Sequence, residues 1–130
     1  MKEIKFSCMW FNEKKWMDLR YTLEEMENGD HWEALSDQPL LRGFMLRHKR
    51  QYTGLKDKNG VEIYEGDIVK TVFDLAKRKR HIGEIYFQPT RLNWSVKHSV
   101  FANQDLFVYT RPDRSIEVIG NIYENPELLL

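Results

Sequence analysis

The chain has 130 residues and no net charge, and aromatic residues, four tryptophans among them, make up 13% of it. This length suits one compact domain, or one domain with an added lobe, and is enough to bury a core without metals or disulfides. Zero net charge excludes a protein held to phosphates by bulk charge alone, and the single Cys8 excludes an intramolecular disulfide and a multi-cysteine zinc site.

Hydropathy and the start of the chain predict the compartment. Nowhere does the sequence approach the ~20 consecutive apolar residues that a bilayer-spanning helix needs. The charged start Met1-Lys2-Glu3 is not followed by the apolar run of a signal peptide. A lone cysteine also fits a reducing cytosol. We therefore expect a cytoplasmic protein with no membrane partner.

Residues 1–45 are predicted to form an N-terminal lobe that opens with a β-hairpin. Residues 3–10 alternate in polarity, 12–15 form a polar turn and 16–19 form the returning strand. The side chains expected on the apolar face are Ile4, Phe6, Cys8 and Trp10. Cys8 is expected to be a buried hydrophobic residue, since a nucleophilic thiolate needs a neighbouring base or cation.

A short helix is predicted after the hairpin. Thr22 and Glu25 stand three residues apart, which is the spacing of a capping box. Gly29 is placed to end the helix, because glycine readily takes the conformation that follows a last helical turn. These signals predict a helix over about 22–28, and they leave the stretch 30–39 open.

Residues 40–52 alternate as a strand does. The cations on this strand that are candidates for contact with a partner are Arg47, Lys49 and Arg50. Residues 1–40 hold nine acids and five bases, whereas 41–58 hold six bases and one acid, so the net charges are −4 and +5. Either these charges balance within one molecule, or they favour head-to-tail association into a homo-oligomer.

The stretch 51–69 is predicted to contain a strand, a polar reversal and a second strand. Asn59-Gly60 is a strong turn signal, because both residues tolerate positive φ. Gly66-Asp67 interrupts the β-branched run that follows and predicts a tight turn or bulge. Asp67 is expected to accept hydrogen bonds from neighbouring backbone amides. The alternative is an acidic metal or acid–base site formed by Glu62, Glu65 and Asp67.

The densest charge run is Lys77-Arg78-Lys79-Arg80-His81. It lies between a strand that ends near 73–75 and another over 82–87, which predicts a hairpin loop. One interpretation is a solvated loop tip. The other is a contact with phosphates or with an acidic partner, because barrel folds often bind through such loops.

Further strands are predicted in the last third of the chain. Residues 83–87 are expected to pair with 92–96, and 116–122 to form the closing strand with a bend at Gly120. The tail 127–130 ends in three leucines. Exposed together they would be a liability, so they are expected to pack on the body of the protein or on a second subunit.

Three ordered motifs carry a family resemblance. The central one runs Gln-Tyr-Thr-Gly-Leu-Lys-Asp-Lys-Asn-Gly over 51–60 and continues over 63–69, and the others are the opening 1–6 and the closing 116–128. Together they resemble the signature of the YopX family of phage and prophage proteins. The chain departs from the family pattern at 8–10, where an arginine-containing strand ending in tryptophan and aspartate is expected. The motif residues to which the resemblance gives a structural role are Tyr52, Gly54, Asp57, Gly60, Tyr64, Gly66, Asp67, Gly120, Asn125 and Pro126.

The resemblance adds detail to the mainly β fold that the strand pattern predicts. It implies a small SH3-like β-barrel at the C-terminal end, over 46–130, after the hairpin and short-helix lobe of 1–45. It also implies a phage or prophage protein in the cytoplasm of a bacterial host. It carries no biochemical activity over to this chain.

No catalytic signature stands in the sequence. The four histidines lack the spacing of a zinc site and are expected at the surface or at an interface: His31, His48, His81 and His98. The serines lack the glycine-flanked elbow of a hydrolase nucleophile. We therefore expect no enzymatic activity, no cofactor and no metal.

Two functional hypotheses remain. The first is a non-enzymatic protein-interaction or regulatory module that acts as a homo-oligomer on an unknown host or phage protein. The second is a nucleic-acid-binding module, in which basic residues at 47–50 and 77–80 contact phosphates. The aromatic residues that would stack on bases are Tyr52, Tyr86 and Trp94.

Overall fold

The computed structural model describes residues 3–31 and 43–130. Its contacts divide the chain into two compact units, Met1–Gly54 and Leu55–Leu130. We predicted an N-terminal lobe of 1–45 and a barrel of 46–130. The contacts place residues 46–54 in the first unit, because their strand pairs with the first strand as far as Gln51. The start of the predicted strand at 40–42, and most of the open stretch 30–39, lie outside the described residues.

Strands dominate the described residues, which confirms the mainly β prediction. The SH3-like character of the C-terminal part stays a prediction. In the described ranges, helices fall short of the length and apolar character that passage through a bilayer requires.

The first unit is built on a β-hairpin and a third strand. Its elements are β1 (Lys5–Asn12), β2 (Lys15–Thr22), α1 (Leu23–Glu27) and β3 (Met45–Lys56). β1 lies between β2 and β3 and is antiparallel to both. The predicted hairpin is confirmed, and in its turn, which lacks glycine, Glu13 adopts a positive φ of 55°.

The prediction of one apolar face on β1 is wrong. Ser7, Cys8, Met9 and Trp10 are all buried, whereas Ile4 is 43% exposed. α1 brings the Met26 sulfur to 3.7 Å from the Cys8 thiol, while Ser7 faces a polar cluster described below. As predicted, Cys8 is buried, and burial raises its thiol pKa to about 11.

The predicted helix is confirmed together with both of its end signals. The Thr22 hydroxyl accepts the Glu25 N–H, and the Glu25 carboxylate accepts the Thr22 N–H, which forms the capping box. At the other end Gly29 adopts a φ of 80° and donates its N–H to the Met26 carbonyl. Signals local to the sequence therefore mark both ends of α1.

Arg50 is buried within the first unit, so it cannot be the surface cation that we predicted. Its guanidinium lies 3.3 Å from the Asp18 carboxylate and 3.1 Å from the Ser7 hydroxyl. Ser7 in turn donates to Asp18 at 2.6 Å. Only 1% of Arg50 is exposed, and a buried guanidinium needs such partners because it has lost its water.

The strands of the second unit are β4 (Glu62–Tyr64), β5 (Asp67–Val72), β6 (Arg80–Gln88), β7 (Asn93–His98), β8 (Gln104–Asp105) and β9 (Ser115–Asn121). Five of them form one antiparallel sheet in the order β8-β7-β6-β5-β9, and β4 stands outside that sheet. Short 3₁₀ helices follow at Leu106–Thr110 and Pro126–Leu129. The predicted pairing of β6 with β7 is confirmed.

The core of the second unit lies on one face of this sheet. Its buried residues are Ile63, Val69, Ile85, Val96, Leu106, Tyr109 and Ile116. Side chains alternate between the two faces of a strand, so the neighbours of Val69 and Ile116 point away from the core. That outer face carries the candidate site.

Asp57 connects the central turn to the closing strand. One carboxylate oxygen accepts the N–H groups of Asn59 and Val61, at 2.8 and 2.9 Å, and the other accepts the Val118 N–H of β9 at 2.9 Å. Gly60 follows the turn with a φ of 81°. The motif that we predicted as a reversal is therefore also a long-range anchor.

Other motif residues shape turns. Gly66 has a φ of 83°, and Asp67 accepts the Tyr64 N–H at 2.8 Å, which confirms the predicted bond to a neighbouring amide. A side chain on Gly120 would come within 2.5 Å of the Asn125 amide oxygen, which accepts the Asn121 N–H. Leu130 at the end of the tail is fully exposed and Leu128 is 37% exposed, so packing on the body covers Leu128 in part and leaves Leu130 uncovered. The alternative of packing on a second subunit stays a prediction.

Replacing Asp57 with Asn should break the link to β9 selectively. The Asn amide keeps one acceptor oxygen and turns an N–H₂ donor toward the second position. We expect a loss of about 2 kcal/mol in the free energy of unfolding and faster amide hydrogen exchange at Val118, measured by NMR. The control is Asp74→Asn, which affects one exposed bond to the Ala76 N–H. Unchanged exchange at Val118 would contradict the anchoring role.

Removing the charge of Asp18 should destabilise the first unit, because it takes away the carboxylate that pairs with the buried Arg50 guanidinium. We expect Asp18→Asn to lower the free energy of unfolding by about 3 kcal/mol, measured by urea denaturation followed by tryptophan fluorescence. The matched control is Arg20→Gln, since Arg20 is the exposed partner of the same carboxylate at 3.4 Å. Equal losses in the two variants would rule the buried pair out as the stabilising element.

Candidate functional site

The outer face of the five-stranded sheet places polar side chains from three strands next to one another. Lys70 on β5 stands opposite Glu117 on β9, and Val72 stands opposite Ser115. Val72 also stands opposite Arg80 at the start of β6. These residues share a face because each lies one position from a residue that points into the core.

Two connecting segments form the walls of a cleft over this face. The loop between β5 and β6 contributes Leu75 and Arg78, and the turn after β3 contributes Lys58. The resulting cleft has a volume of about 320 Å³. Its lining residues, which we call the cationic cleft, are Lys58, Lys70, Val72, Leu75, Arg78, Arg80, Ser115 and Glu117.

The cleft holds four cations and one carboxylate, so its net charge is +3. Glu117 lies 3.3 Å from the Lys70 ammonium and 3.7 Å from the Lys58 ammonium, and it accepts the Asn59 amide at 3.3 Å. The hydrogen bond from Lys70, followed by the other contacts, holds the pKa of Glu117 below its usual value. The Glu117 carboxylate is thus already paired with both lysines of the cleft.

The two arginines of the cleft remain without such a counter-ion. Arg78 and Arg80 are exposed, and their side chains form no ion pair or hydrogen bond with a residue that the structure describes. Arg78 adopts a positive φ of 52°, an uncommon conformation for a side-chain-bearing residue. This pair of guanidiniums is the part of the cleft best suited to bind an anion.

The basic run divides its side chains between two clefts. Arg78 and Arg80 line the cationic cleft, whereas Lys77, Lys79 and His81 line a second one of about 330 Å³. We call this second one the aromatic cleft; its lining residues are Phe73, Asp74, Lys77, Lys79, His81, Phe101, Asp113 and Arg114. The predicted hairpin is confirmed, but its loop ends at Lys79, since Arg80 and His81 already belong to β6, and the basic run presents two different surfaces.

Ring contacts build the aromatic cleft. The His81 ring stacks on Phe101 with centroids 4.3 Å apart, and the Arg114 guanidinium lies 3.8 Å from the centroid of Phe73. The Nδ1 atom of His81 and the Nε atom of Arg114 are buried without a hydrogen-bond partner among the described residues. With three cations and two carboxylates, this cleft carries a net charge of only +1.

Three of the histidines are buried, so the prediction that all four lie at the surface or an interface is wrong for His31, His81 and His98. His98 shows why a histidine is accommodated inside. Its Nδ1 lies 3.0 Å from the Ala102 carbonyl, and its Nε2 lies 2.7 Å from the Thr71 hydroxyl. A carbonyl oxygen only accepts, so Nδ1 carries the proton, and burial lowers the pKa of the ring.

The candidates on β3 belong to the first unit and do not form one site. Arg47 and Lys49 are exposed, whereas Arg50 is buried. Tyr52 is only 5% exposed, so it cannot stack on a base as predicted. The Arg47 guanidinium lies 6.0 Å from the ring of Phe11.

The other aromatic candidates are half-buried in the second unit. Trp94 contacts Phe87, with centroids 5.3 Å apart, and packs against the core. The Tyr86 hydroxyl accepts a hydrogen bond from Gln88 at 3.3 Å. Neither lines the cationic or the aromatic cleft.

Two carboxylates of the alternative acidic site in the central stretch, Glu62 and Asp67, accept hydrogen bonds from Tyr64. Glu62 accepts the Tyr64 hydroxyl at 3.1 Å, and Asp67 accepts the Tyr64 N–H. Within residues 3–31 and 43–130, histidine, cysteine, aspartate and glutamate form no group of three or more that could hold a metal ion.

Three charged members of the cationic cleft were missed from the sequence: Lys58, Lys70 and Glu117. A signal for two of them was present, because Lys70 and Glu117 are the polar members of alternating strands whose apolar members form the core. The sequence does not show that β5 and β9 are neighbours, since 42 residues separate the end of β5 at Val72 from the start of β9 at Ser115.

Comparisons with known proteins place the chain in a family. The YopX protein family model matches residues 2–130. No curated protein matches the chain. Among solved structures, the chain is similar to the crystal structure of protein EF1440 from Enterococcus faecalis, with 31% sequence identity over 95% of this chain and 75% of that chain and a TM-score of 0.42. The family match covers the central and closing motifs and residues 2–6 of the opening one, and the chain belongs to the YopX family.

Proposed function

We propose that this protein is a non-enzymatic interaction module that binds an acidic partner protein through the cationic cleft and the loop beside it. The observation that carries the proposal is the pair of exposed guanidiniums of Arg78 and Arg80, which lack a counter-ion among the described residues. Arginines of this kind are enriched at the centres of protein interfaces, where planar guanidiniums bind carboxylates with two hydrogen bonds.

The position of the cations supports binding by a rigid surface. Arg80 belongs to β6, and Lys70 belongs to β5, which is hydrogen-bonded on both sides. Charges held on strands lose little freedom when a partner binds, which favours affinity. A local excess of positive charge also speeds the encounter with an acidic surface and excludes basic ones.

The biological setting is part of the same proposal. The YopX resemblance implies a phage or prophage protein, so we infer that the partner is a host or phage protein in the bacterial cytoplasm. A protein with zero net charge and one concentrated cationic cleft suits selective binding better than general attraction to polyanions.

Reversing the two arginine charges should abolish partner capture. Immobilised wild-type protein and the variant Arg78→Glu/Arg80→Glu are compared by mass spectrometry of captured host proteins, and each candidate is then tested as a purified pair. We expect at least about tenfold weaker binding for the variant, because like charges then face an acidic surface. The matched control, Arg91→Glu/Lys97→Glu, reverses two exposed charges outside both clefts. A purified partner that binds the wild type and the arginine variant equally would overturn the proposal.

Nucleic-acid binding is a second candidate, favoured by the aromatic cleft. There Lys77 and Lys79 line the same concavity as Phe73 and Phe101, and this combination of cations and rings suits single strands. A salt titration with single- and double-stranded oligonucleotides separates the candidates. Affinity that falls steeply with salt and is lost in Lys77→Glu/Lys79→Glu supports nucleic acid, and absence of binding at low salt removes it.

We also propose that the protein self-associates, because residues 1–40 and 41–58 carry net charges of −4 and +5, which are still −3 and +4 when the buried Asp18–Arg50 pair is left out. Light scattering should give a multiple of 15.7 kDa at low salt. The mass should fall toward that of the monomer above about 0.5 M salt, where screening shortens the reach of exposed charges. A monomeric mass at every salt and protein concentration would contradict self-association.

A further inference from the structure

We propose that the cationic cleft is a binding site for a diphosphate group. The proposal rests on the proposed function in so far as both use Arg78 and Arg80, and it adds the chemical class of a small ligand. It follows from the charge of the cleft, the kinds of cation in it and their confinement to one concavity.

Charge selects two linked phosphates over simpler anions. A carboxylate carries one negative charge, and a phosphate monoester carries about −1.5 to −2 at pH 7. The cleft has a net charge of +3 even after Glu117 is counted. Two adjoining phosphates balance that charge more closely than one phosphate or one carboxylate.

The donors also fit phosphate oxygens. Guanidiniums bind two oxygens of one phosphate with parallel N–H groups, while lysine ammoniums act as compact point charges. The cleft supplies two of each, together with the Ser115 hydroxyl. A diphosphate presents several terminal oxygens over a short distance and can use both kinds of donor at once.

Confinement favours a compact ligand over an extended one. Four cations line one concavity of about 320 Å³, which lies at the lower end of the ~300–1,000 Å³ typical of small-ligand sites. A nucleic-acid backbone spreads its charge along a strand, and it is matched by cations that follow a groove. The basic run does not provide such a groove here, because Lys77 and Lys79 line the other cleft.

Replacing Glu117 provides a test that distinguishes ligand binding from a merely structural role of the cleft. Its carboxylate pairs with Lys58 and Lys70, so it competes with the ligand for both ammoniums. Replacing it with Gln removes the competing charge and changes the net charge of the cleft to +4. The change should therefore tighten diphosphate binding, a gain that a damaged fold would not produce.

The probe is inorganic pyrophosphate, titrated into the full chain by calorimetry at low salt. We expect binding at least tenfold tighter than that of orthophosphate, a loss of at least tenfold in Arg78→Asn/Arg80→Gln, and a gain of at least threefold in Glu117→Gln. Asn is chosen at position 78 because it tolerates the positive φ found there. The control Lys77→Gln/Lys79→Gln removes two charges of the same loop that face the other cleft and should change the affinity less than threefold.

Further arms identify the source of the diphosphate. ADP that binds at least as tightly as pyrophosphate assigns the site to a nucleoside diphosphate, and weaker binding of ADP assigns it to free diphosphate. The proposal is overturned if pyrophosphate does not bind, if the arginine variant binds it as well as the wild type, or if a single-stranded oligonucleotide binds the cleft more tightly than pyrophosphate.

The diphosphate site and the interaction module can fail independently of each other. Partner capture that depends on Arg78 and Arg80 without pyrophosphate binding would remove the diphosphate site and leave the interaction module. Pyrophosphate binding with the expected variant pattern, but without an acidic protein partner, would remove the interaction module and leave the site.

Discussion

The carboxylate of Asp57 receives backbone N–H groups from two parts of the chain that are distant in sequence. Asn59 and Val61 are its neighbours in the central turn, whereas Val118 lies 61 residues away on β9. Buried N–H groups must find acceptors, and an ionised oxygen is a strong one. This side chain therefore determines both the shape of the turn and its attachment to the sheet, and much of the second unit depends on it.

The cationic cleft depends on the same attachment. Lys58 follows Asp57 directly, and Glu117 precedes Val118, so the anchor brings this lysine and this carboxylate together on the outer face. The Lys58 N–H also donates to the Ile116 carbonyl. The family motif at 51–60 thus has a consequence beyond its own turn, because it positions one wall of a charged site whose opposite wall comes from the loop between β5 and β6.

Features set by neighbouring residues could be predicted from the sequence. The capping box of α1, the turn at Asn59-Gly60 and the hairpin between β5 and β6 each depend on a few adjacent residues, and all three are confirmed. Features that depend on distant strands could not be predicted. Arg50 resembled a surface cation until Asp18, 32 residues earlier, supplied its counter-ion. Likewise, no local signal placed His98 beside Thr71, or Lys70 opposite Glu117.

The central claim is that the Asp57 anchor builds the wall of an anion-binding cleft, and the pyrophosphate affinity of Asp57→Asn tests it most directly. Asp57 does not line the cleft, and the change removes a negative charge, so electrostatics alone would tighten binding. Because the variant releases β9 from the turn and separates Lys58 from the other cations, this account predicts weaker binding. Equal or tighter binding of pyrophosphate by Asp57→Asn would contradict it.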